Sequence, residues 1–427
     1  MTYEQAEAYI NEIPRFTKKN DLTHTNRFLE KLGNPQQGRQ ILHVAGTNGK
    51  GSVCIYLEHL LRSEGKSVGT FISPHLIVMN ERIRINGVMV SEEAFLASFE
   101  RAQQAAAELE QEGLAHPTFF EFLFGMAMKA FAGAGVEYVI LETGLGGRLD
   151  ATNCISNPQL TVITTIGLDH TQYLGDTLEK IAAEKAGIIK PGVPVLYMEN
   201  PLQSVNRVFE EQALKLHSPC RKISKSAYEI CTNPNKFIAF SCTNAYYEDT
   251  TWTVPNIADY QADNAYMALE AMRLLFGRDK HLDRWQKALG EAVWEGRMEE
   301  AAPNVYVDGA HNRNAIESFV DSVKIKKQDI VILFSAVEDK DYEDMIAYLC
   351  RNLKVQEFVV TTIQDARGTK AELLGNIFRK YTEVPVRVID SIERAVDDVL
   401  ERQNGRTVYC LGSLYLVGTI KKYLGRY

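Results

Sequence analysis

Lys50 and Ser52 stand two residues apart in the run Gly46, Thr47, Asn48, Gly49, Lys50, Gly51 and Ser52. The run follows the apolar residues Ile41, Leu42 and Val44 and precedes the helix-compatible stretch VCIYLEHLLRSEG. A glycine-rich loop between a strand and a helix is a place for an anion. Glycine lets backbone N–H groups approach without a Cβ in the way, and the start of a helix favours negative charge. Lys50 would reach the outer phosphates of a nucleotide, and Ser52 would offer a hydroxyl to Mg²⁺. The usual phosphate-loop pattern puts the hydroxyl residue directly after the lysine, and here Gly51 intervenes. A tight turn is the plain alternative; the Lys, the Ser and the strand–helix setting favour a nucleotide.

A nucleotide needs Mg²⁺ to bridge its phosphates, and a hard cation takes oxygen ligands. Acids at the carboxyl ends of sheet strands are placed to supply them. Glu142 ends the apolar run 137–144 and precedes GLGG, which favours a site role over a salt-bridged or capping Glu. His170 follows the strand-like run 160–167 in GLDH; an isolated His is usually a surface or satisfied core residue, but the repeated strand–acid form favours a site. Arg148, Asp150 and Asn153 sit in GLGGRLDATN, whose glycines alone would fit a solvated turn. Lys185, in AEKAGIIK, reads most simply as an exposed lysine paired with Glu184 or Glu179. Arg297 follows Gly296 at a junction and would swing over a nucleotide on closure. Asp308 and His311 in DGAHN end the first strand of a second unit, where open α/β sheets bind ligands.

The elements that position these residues alternate. Two amphipathic helices, 2–12 and 22–32, precede the first strand. A strand at 67–73 leads into a loop, PHLIVMNERIRING, and then come helical patterns at 91–112 and 118–132. In the second of these, Phe119, Phe120, Phe122 and Phe124 read as core rather than as a ligand platform. Strand-like runs at 137–144, 160–167 and 193–198 flank a helix at 177–190. Continuous apolar strands separated by helices imply a parallel sheet covered on both faces. Residues 222–255 change to short alternating runs with Asn, Thr and Tyr turns, an antiparallel insertion. Helices at 263–277 and 281–290 complete the first unit. After WEGRMEEAAPN (294–304) strand patterns recur at 305–308, 329–335, 356–362, 386–389 and 407–411, with a last helix at 414–424: a second, smaller doubly wound α/β domain.

The chain has 427 residues, enough for two or three domains. Its formal charge of −8 argues against broad electrostatic binding of nucleic acid, but not against a local basic pocket for a small anion. Seven cysteines at irregular spacing, none in a C-x-x-C pair, suggest neither a zinc site nor a disulfide framework. The N-terminus MTYEQAEAYINEIPRF lacks an apolar signal region, and no apolar run is long enough to span a membrane. A cytoplasmic location is the default expectation.

Taken together, GTNGKGS, SPHL, ERIRING, ETGLGGRLDATN, GLDH, EKAGIIKPGVP, WEGRME and VDGAHN, in that order over residues 46–312, resemble the folylpolyglutamate synthase and dihydrofolate synthase family of the Mur ligase superfamily. The final GSLYLVG (412–418) is similar too. The resemblance implies a three-layer P-loop ATPase domain with a parallel sheet (1–296), carrying the folate site, and a smaller C-terminal Rossmann-like α/β glutamate-ligase domain (297–427). It also accounts for Gly51, since this family carries an extra residue between the loop lysine and the hydroxyl. By motif, Ser52, Glu142 and His170 would ligand Mg²⁺ and Lys50 would hold the phosphates. Asn264, Arg297, Asp308 and His311 would contact ATP. Lys185 matches a lysine carbamylated in this family, whose two carbamate oxygens would ligand a second Mg²⁺; a monovalent cation is a further implied cofactor.

The implied reaction is ATP-dependent amide formation between a folate and L-glutamate, by a monomer acting on small molecules, without nucleic acid or membrane. Dihydropteroate in place of the folate, or both activities in one chain, is the alternative. For the pterin, Ser73, His75, Arg82 and Phe120 are the expected walls, with Arg148 and Asp150 as further substrate candidates. EDKD (338–341) reads either as a contact for the incoming glutamate or as a solvated turn. A P-loop switch or transport motor would need no second nucleotide-facing domain, and DGAHN and GRM count against it.

Overall fold

In the computed structural model, residues 1–14, 21–231, 237–247, 250–277, 281–324, 326, 328–364 and 367–426 are described. Strands β1 (Gln40–Ala45), β2 (Val68–Phe71), β3 (Ile83–Ile85), β4 (Val88–Met89), β5 (Tyr138–Glu142), β6 (Leu160–Ile163), β7 (Val195–Met198) and β8 (Cys220–Ile223) form one sheet. Their spatial order is β4-β3-β2-β5-β1-β6-β7-β8. From β2 to β8 every neighbouring pair is parallel.

The period-2 alternation of a strand divides the side chains between two covered faces. Leu42, Val44, Ile140 and Val162 pack with the helices Lys50–Ser63 and Tyr260–Phe276. Ile41, Val139 and Leu141 pack on the opposite face with the helices Tyr3–Glu12, Leu22–Lys31, Glu92–Gln111 and Phe119–Gly133. Burial on both sides explains the unbroken apolar runs in the sequence. The expected loop after β2 is instead partly sheet: β3 and β4 form an antiparallel hairpin on its edge. Asn86 and Gly87, at φ 50° and 85°, turn that hairpin. Asn-Gly is the residue pair such a turn demands.

The antiparallel insertion holds β9 (Tyr228–Cys231), β10 (Ile238–Cys242) and β11 (Thr251–Val254), in the order β11-β10-β9. Residues 232–236 and 248–249 of the expected span lie outside the described residues. Phe240 and Trp252 bury this small sheet in the same core as the helix Tyr260–Phe276. At its start the expected span also overlaps β8, which pairs parallel with β7 in the main sheet.

A third sheet contains β12 (Glu299–Ala302), β13 (Val305–Val307), β14 (Ile330–Phe334), β15 (Glu357–Val360), β16 (Val386–Val388) and β17 (Thr407–Leu411). Its order is β12-β13-β17-β14-β15-β16, and only β12 runs antiparallel to its neighbour. Ile332 and Phe334 face one helical layer, Leu333 and Cys410 the other. Among the described residues no helix is long and apolar enough to cross a membrane.

Candidate active site

The carboxyl ends of β1, β5 and β6 face that of β13 across a cavity of about 330 Å³. Its floor is the loop after β1. The helix that follows starts at Lys50 after Gly49, which is left-handed at φ 87° and gives the helix no side-chain cap. The first N–H groups of a helix have no partner inside it, so this start is left for an anion. Asn264 lies directly above the loop: a Cβ on Gly49 would fall 2.4 Å from its Oδ1. The intervening Gly51 is where Trp294 packs, with Cζ2 3.2 Å from the place a Cβ would take.

Lys50 Nζ donates to the Thr47 carbonyl at 3.2 Å and lies 3.9 Å from Glu142 Oε1. Glu142 is buried at the end of β5, and its Oε2 accepts the Ser73 N–H at 2.9 Å. Burial raises its pKa, with the Lys50 charge opposing the shift. Ser52 is buried in the first turn of the helix and lines the cavity.

Lys185 is 3% exposed, so the simple reading of it as a surface lysine does not hold. Its expected partners are engaged elsewhere: Glu184 with Arg148 at 2.7 Å, and Glu179 with Ser204 at 2.6 Å. Lys185 Nζ instead donates to the Gly46 carbonyl at 2.8 Å. Burial, and then the charge of Lys50, bring its pKa down to about 7. The shift favours the uncharged amine, the form of this side chain that is nucleophilic.

Across the cavity the second sheet contributes Asp308, whose oxygens accept from Tyr260 Oη at 2.6 Å, Met298 N at 2.9 Å and Ala310 N at 2.8 Å. Burial raises its pKa, with Arg297 opposing. Arg297 lines the cavity and donates to the Gly296 carbonyl at 3.1 Å. His311 Nδ1 lies 2.7 Å from the Gly309 carbonyl.

Asp169, which the sequence marked only as a neighbour of His170, joins the two sides. It meets Lys340 Nζ at 2.5 Å, Asn312 Nδ2 at 3.0 Å and His311 Nε2 at 3.7 Å. Burial alone would raise its pKa, but His311, Lys340 and His170 hold it well below the usual carboxylate range. Asn48 adds a second link, donating to Asn312 and Asn314 Oδ1 at 3.1 Å each. The turn at 338–341 is thus not simply solvated: the Lys340 side chain is 9% exposed. His170 takes a left-handed backbone, φ 49°, and burial lowers its pKa to about 4, against the pull of Asp169. No local signal in the sequence pairs Asp169 with Lys340, 171 residues away.

Ser73 lines this cavity, but His75, Arg82, Phe120, Arg148 and Asp150 do not. Arg82 Nε donates to His75 Nδ1 at 2.8 Å and its guanidinium lies over the Phe119 ring. Phe120 packs against Phe71 and the backbone of Gly144. The Arg148 side chain is 58% exposed. Asp150 is buried, and its carboxylate is used inside its own loop, accepting the N–H groups of Gly144 and Leu145 at 2.9 Å each.

Among the described residues no group of three His, Cys, Asp or Glu forms a metal cage. The Ser52 hydroxyl, the Glu142 carboxylate and the His170 imidazole line the cavity together, two oxygen donors and one nitrogen with no thiolate among the described residues of the lining. That fits Mg²⁺, which keeps waters and shares its coordination with phosphates, better than a structural zinc.

An uncapped phosphate loop on one parallel sheet, facing a second doubly wound sheet across a shared polar cavity, defines a two-domain P-loop protein. Residues 44–272 match the Mur ligase middle domain, and residues 296–414 the Mur ligase glutamate ligase domain. The chain is 34% identical to a Bacillus subtilis dihydrofolate synthase/folylpolyglutamate synthase over 99% of both chains. It is 29% identical to a Lacticaseibacillus casei folylpolyglutamate synthase, again over 99% of both. The fold matches Mycobacterium tuberculosis folylpolyglutamate synthase complexed with ADP and AMPPCP at a TM-score of 0.90, with 26% identity over 100% of this chain and 98% of the other. The chain belongs to the folylpolyglutamate synthase/dihydrofolate synthase family of the Mur ligases.

Proposed function

We propose that this chain joins L-glutamate to a folate at the expense of ATP, through an acyl phosphate. The observation that carries the reading is the single cavity into which the phosphate loop, Glu142, His170 and Lys185 project from one side and Arg297, Asp308 and His311 from the other. In this reading residues 1–296 bind ATP and the folate, and residues 297–427 form the glutamate-ligase unit. The chain acts as a cytoplasmic monomer, a reading supported by a cavity completed within one chain.

A carboxylate is a poor electrophile because its leaving group would be oxide. In the proposed reaction a folate carboxylate oxygen attacks the γ-phosphorus and ADP leaves. The glutamate amine then attacks the carbonyl carbon of the acyl phosphate, loses a proton, and expels phosphate from the tetrahedral intermediate. Lys50 holds the phosphates, Arg297 meets charge that develops on them, and Asn264, Asp308 and His311 orient the nucleotide. Ser52, Glu142 and His170 would hold Mg²⁺, which when bound neutralises phosphate charge. The neutral amine of Lys185 can add CO₂ and release a proton, giving a carbamate whose two oxygens would hold a second ion. Closure of both sheets around the acyl phosphate excludes water, and the Asp169–Lys340 pair supports the closed arrangement.

Dihydropteroate is the second candidate for the carboxylate, supported by the double name of the Bacillus subtilis relative. The test is ADP release. It should require both L-glutamate and a folate or pteroate, and the product mass should rise by one glutamyl residue. Turnover independent of glutamate would overturn the ligase reading and favour a hydrolytic switch.

A further inference from the structure

His43 is wholly buried on β1, three residues before the phosphate loop, and no step of the proposed reaction uses it. Its Nε2 lies 2.8 Å from Thr152 Oγ1, and the Thr152 hydroxyl lies 2.6 Å from Asp150 Oδ1. Asp150 Oδ1 also accepts the Thr152 N–H at 3.1 Å. The other carboxylate oxygen takes the N–H groups of Gly144 and Leu145. Every one of these bonds is accepted by the carboxylate, so the single hydroxyl proton of Thr152 points at Asp150. His43 Nε2 must then be the donor to Thr152. That leaves Nδ1 as a buried lone pair without a partner among the described residues. Such an atom is costly where an apolar side chain would fit the interior, so the donor on the other side of the ring needs a use. Burial, with Lys190 nearby, pushes the pKa of His43 down to about 3, which keeps the ring a neutral donor at ordinary pH.

The loop that Asp150 ties down packs directly on the helix Leu178–Ala186. Arg148 N donates to the Glu184 carbonyl at 2.7 Å. A Cβ on Gly147 would come 2.7 Å from that carbonyl oxygen and 3.0 Å from Lys185 Cα. Lys185 in turn reaches back to the Gly46 carbonyl, at the exit of the strand that carries His43. The contacts close a ring from β1 through the loop and the helix to the phosphate loop. We propose that His43 is a positioning residue: through Thr152 and Asp150 it fixes the 144–150 loop, and through that loop the seat of Lys185 beside the phosphate loop. The inference rests on the role given to Lys185 in the proposed reaction.

Three substitutions at His43 test it. His43→Leu should lower kcat by about 10- to 100-fold, the scale of a small misplacement at a reacting centre, with KM for ATP within about twofold. Hydrogen exchange of the peptide holding residues 144–150 should rise. His43→Gln puts an amide N–H near the Nε2 position and should restore both kcat and protection. His43→Asn reaches only the Nδ1 position and should restore neither. Thr152→Val, which keeps the shape and removes the hydroxyl, should repeat the His43→Leu loss, and the two losses should not add. A Gln variant as impaired as Leu, an Asn variant as good as Gln, or additive losses would overturn the relay. Should the Leu variant not fold, Thr152→Val carries the same exchange test. Exchange is read without substrates, so a chain that showed no glutamate-dependent turnover would refute the functional reading while the relay was still decided.

Discussion

Two glycine-rich loops leave adjacent parallel strands of one sheet, and they do opposite things with their donors. The loop after β1, 46–52, leads into a helix that no described side chain caps, and among the described residues Lys50 finds the Thr47 carbonyl and a distant Glu142 carboxylate. The loop after β5, 143–150, leads to Asp150, which turns back and accepts two of its N–H groups. The first loop gives its Thr47 N–H to the Thr165 carbonyl but leaves the start of the helix uncapped for a ligand. The second ties two of its N–H groups to its own Asp150 and gives a third, that of Arg148, to the Glu184 carbonyl, which makes it a wall against the helix of Lys185. Glycine marks a close approach in both; what decides the role is whether an acceptor within the chain reaches the donors first.

Either loop can be altered by itself. The largest effect is expected where the wall meets the floor: Lys185→Ala should lower kcat by about 10²–10³-fold, the scale of losing a group that stabilises developing charge. Small carboxylates should restore part of the rate. Near-normal turnover without them would remove Lys185 from the chemistry. Next comes Asp150→Ala. It leaves the Gly144 and Leu145 N–H groups without their acceptor, each at a cost of about 1–3 kcal/mol. The denaturant midpoint should fall clearly while ATP affinity, measured by calorimetry, stays within about threefold. An ATP affinity that collapsed with it would mean that the two loops are not separate in role.

A smaller effect depends on pH. The pKa of His43 is lowered from 6.5 to about 3 by burial, with Lys190 adding to the shift. The unfolded chain therefore takes up this proton first as pH falls below 6.5, and native stability is lost between there and about pH 3. At pH 5 that loss is about 2 kcal/mol. His43→Gln should flatten the fall of unfolding free energy between pH 6.5 and 4; an unchanged slope would place the acid sensitivity elsewhere. The smallest effect belongs to Arg148→Ala. Its exposed pair with Glu184 is of the kind worth about 0–1 kcal/mol, so stability should fall by no more than that and kcat should stay within about twofold. A large rise in KM for the folate would return Arg148 to the substrate site.

These two loops also show how far sequence reaches. Lys50, Ser52 and Glu142 are legible because strand, turn and helix start are local patterns, and the cavity lies at the ends of those strands. Asp150 reads as a site residue from the same evidence, since nothing local tells which way its oxygens turn. Lys185 reads as a surface lysine because its helix is amphipathic only in part and its cover comes from the 144–148 loop. The Asp169–Lys340 and Asn48–Asn312 contacts depend on how two separate sheets dock, which no run of residues encodes by itself. The β3–β4 hairpin was readable: Asn86-Gly87 between short β-branched runs is a turn signal that the surrounding polar residues obscure.

The central claim is that ATP is used to activate a carboxylate, and an isotope decides it. The folate substrate is labelled with ¹⁸O in both oxygens of its reacting carboxyl group and turned over with ATP and L-glutamate, and the phosphate released is examined by mass. An acyl phosphate requires that each phosphate carry one labelled oxygen taken from the carboxylate, while the new amide keeps the other. Phosphate that carries no label, its fourth oxygen coming from water, would contradict the account.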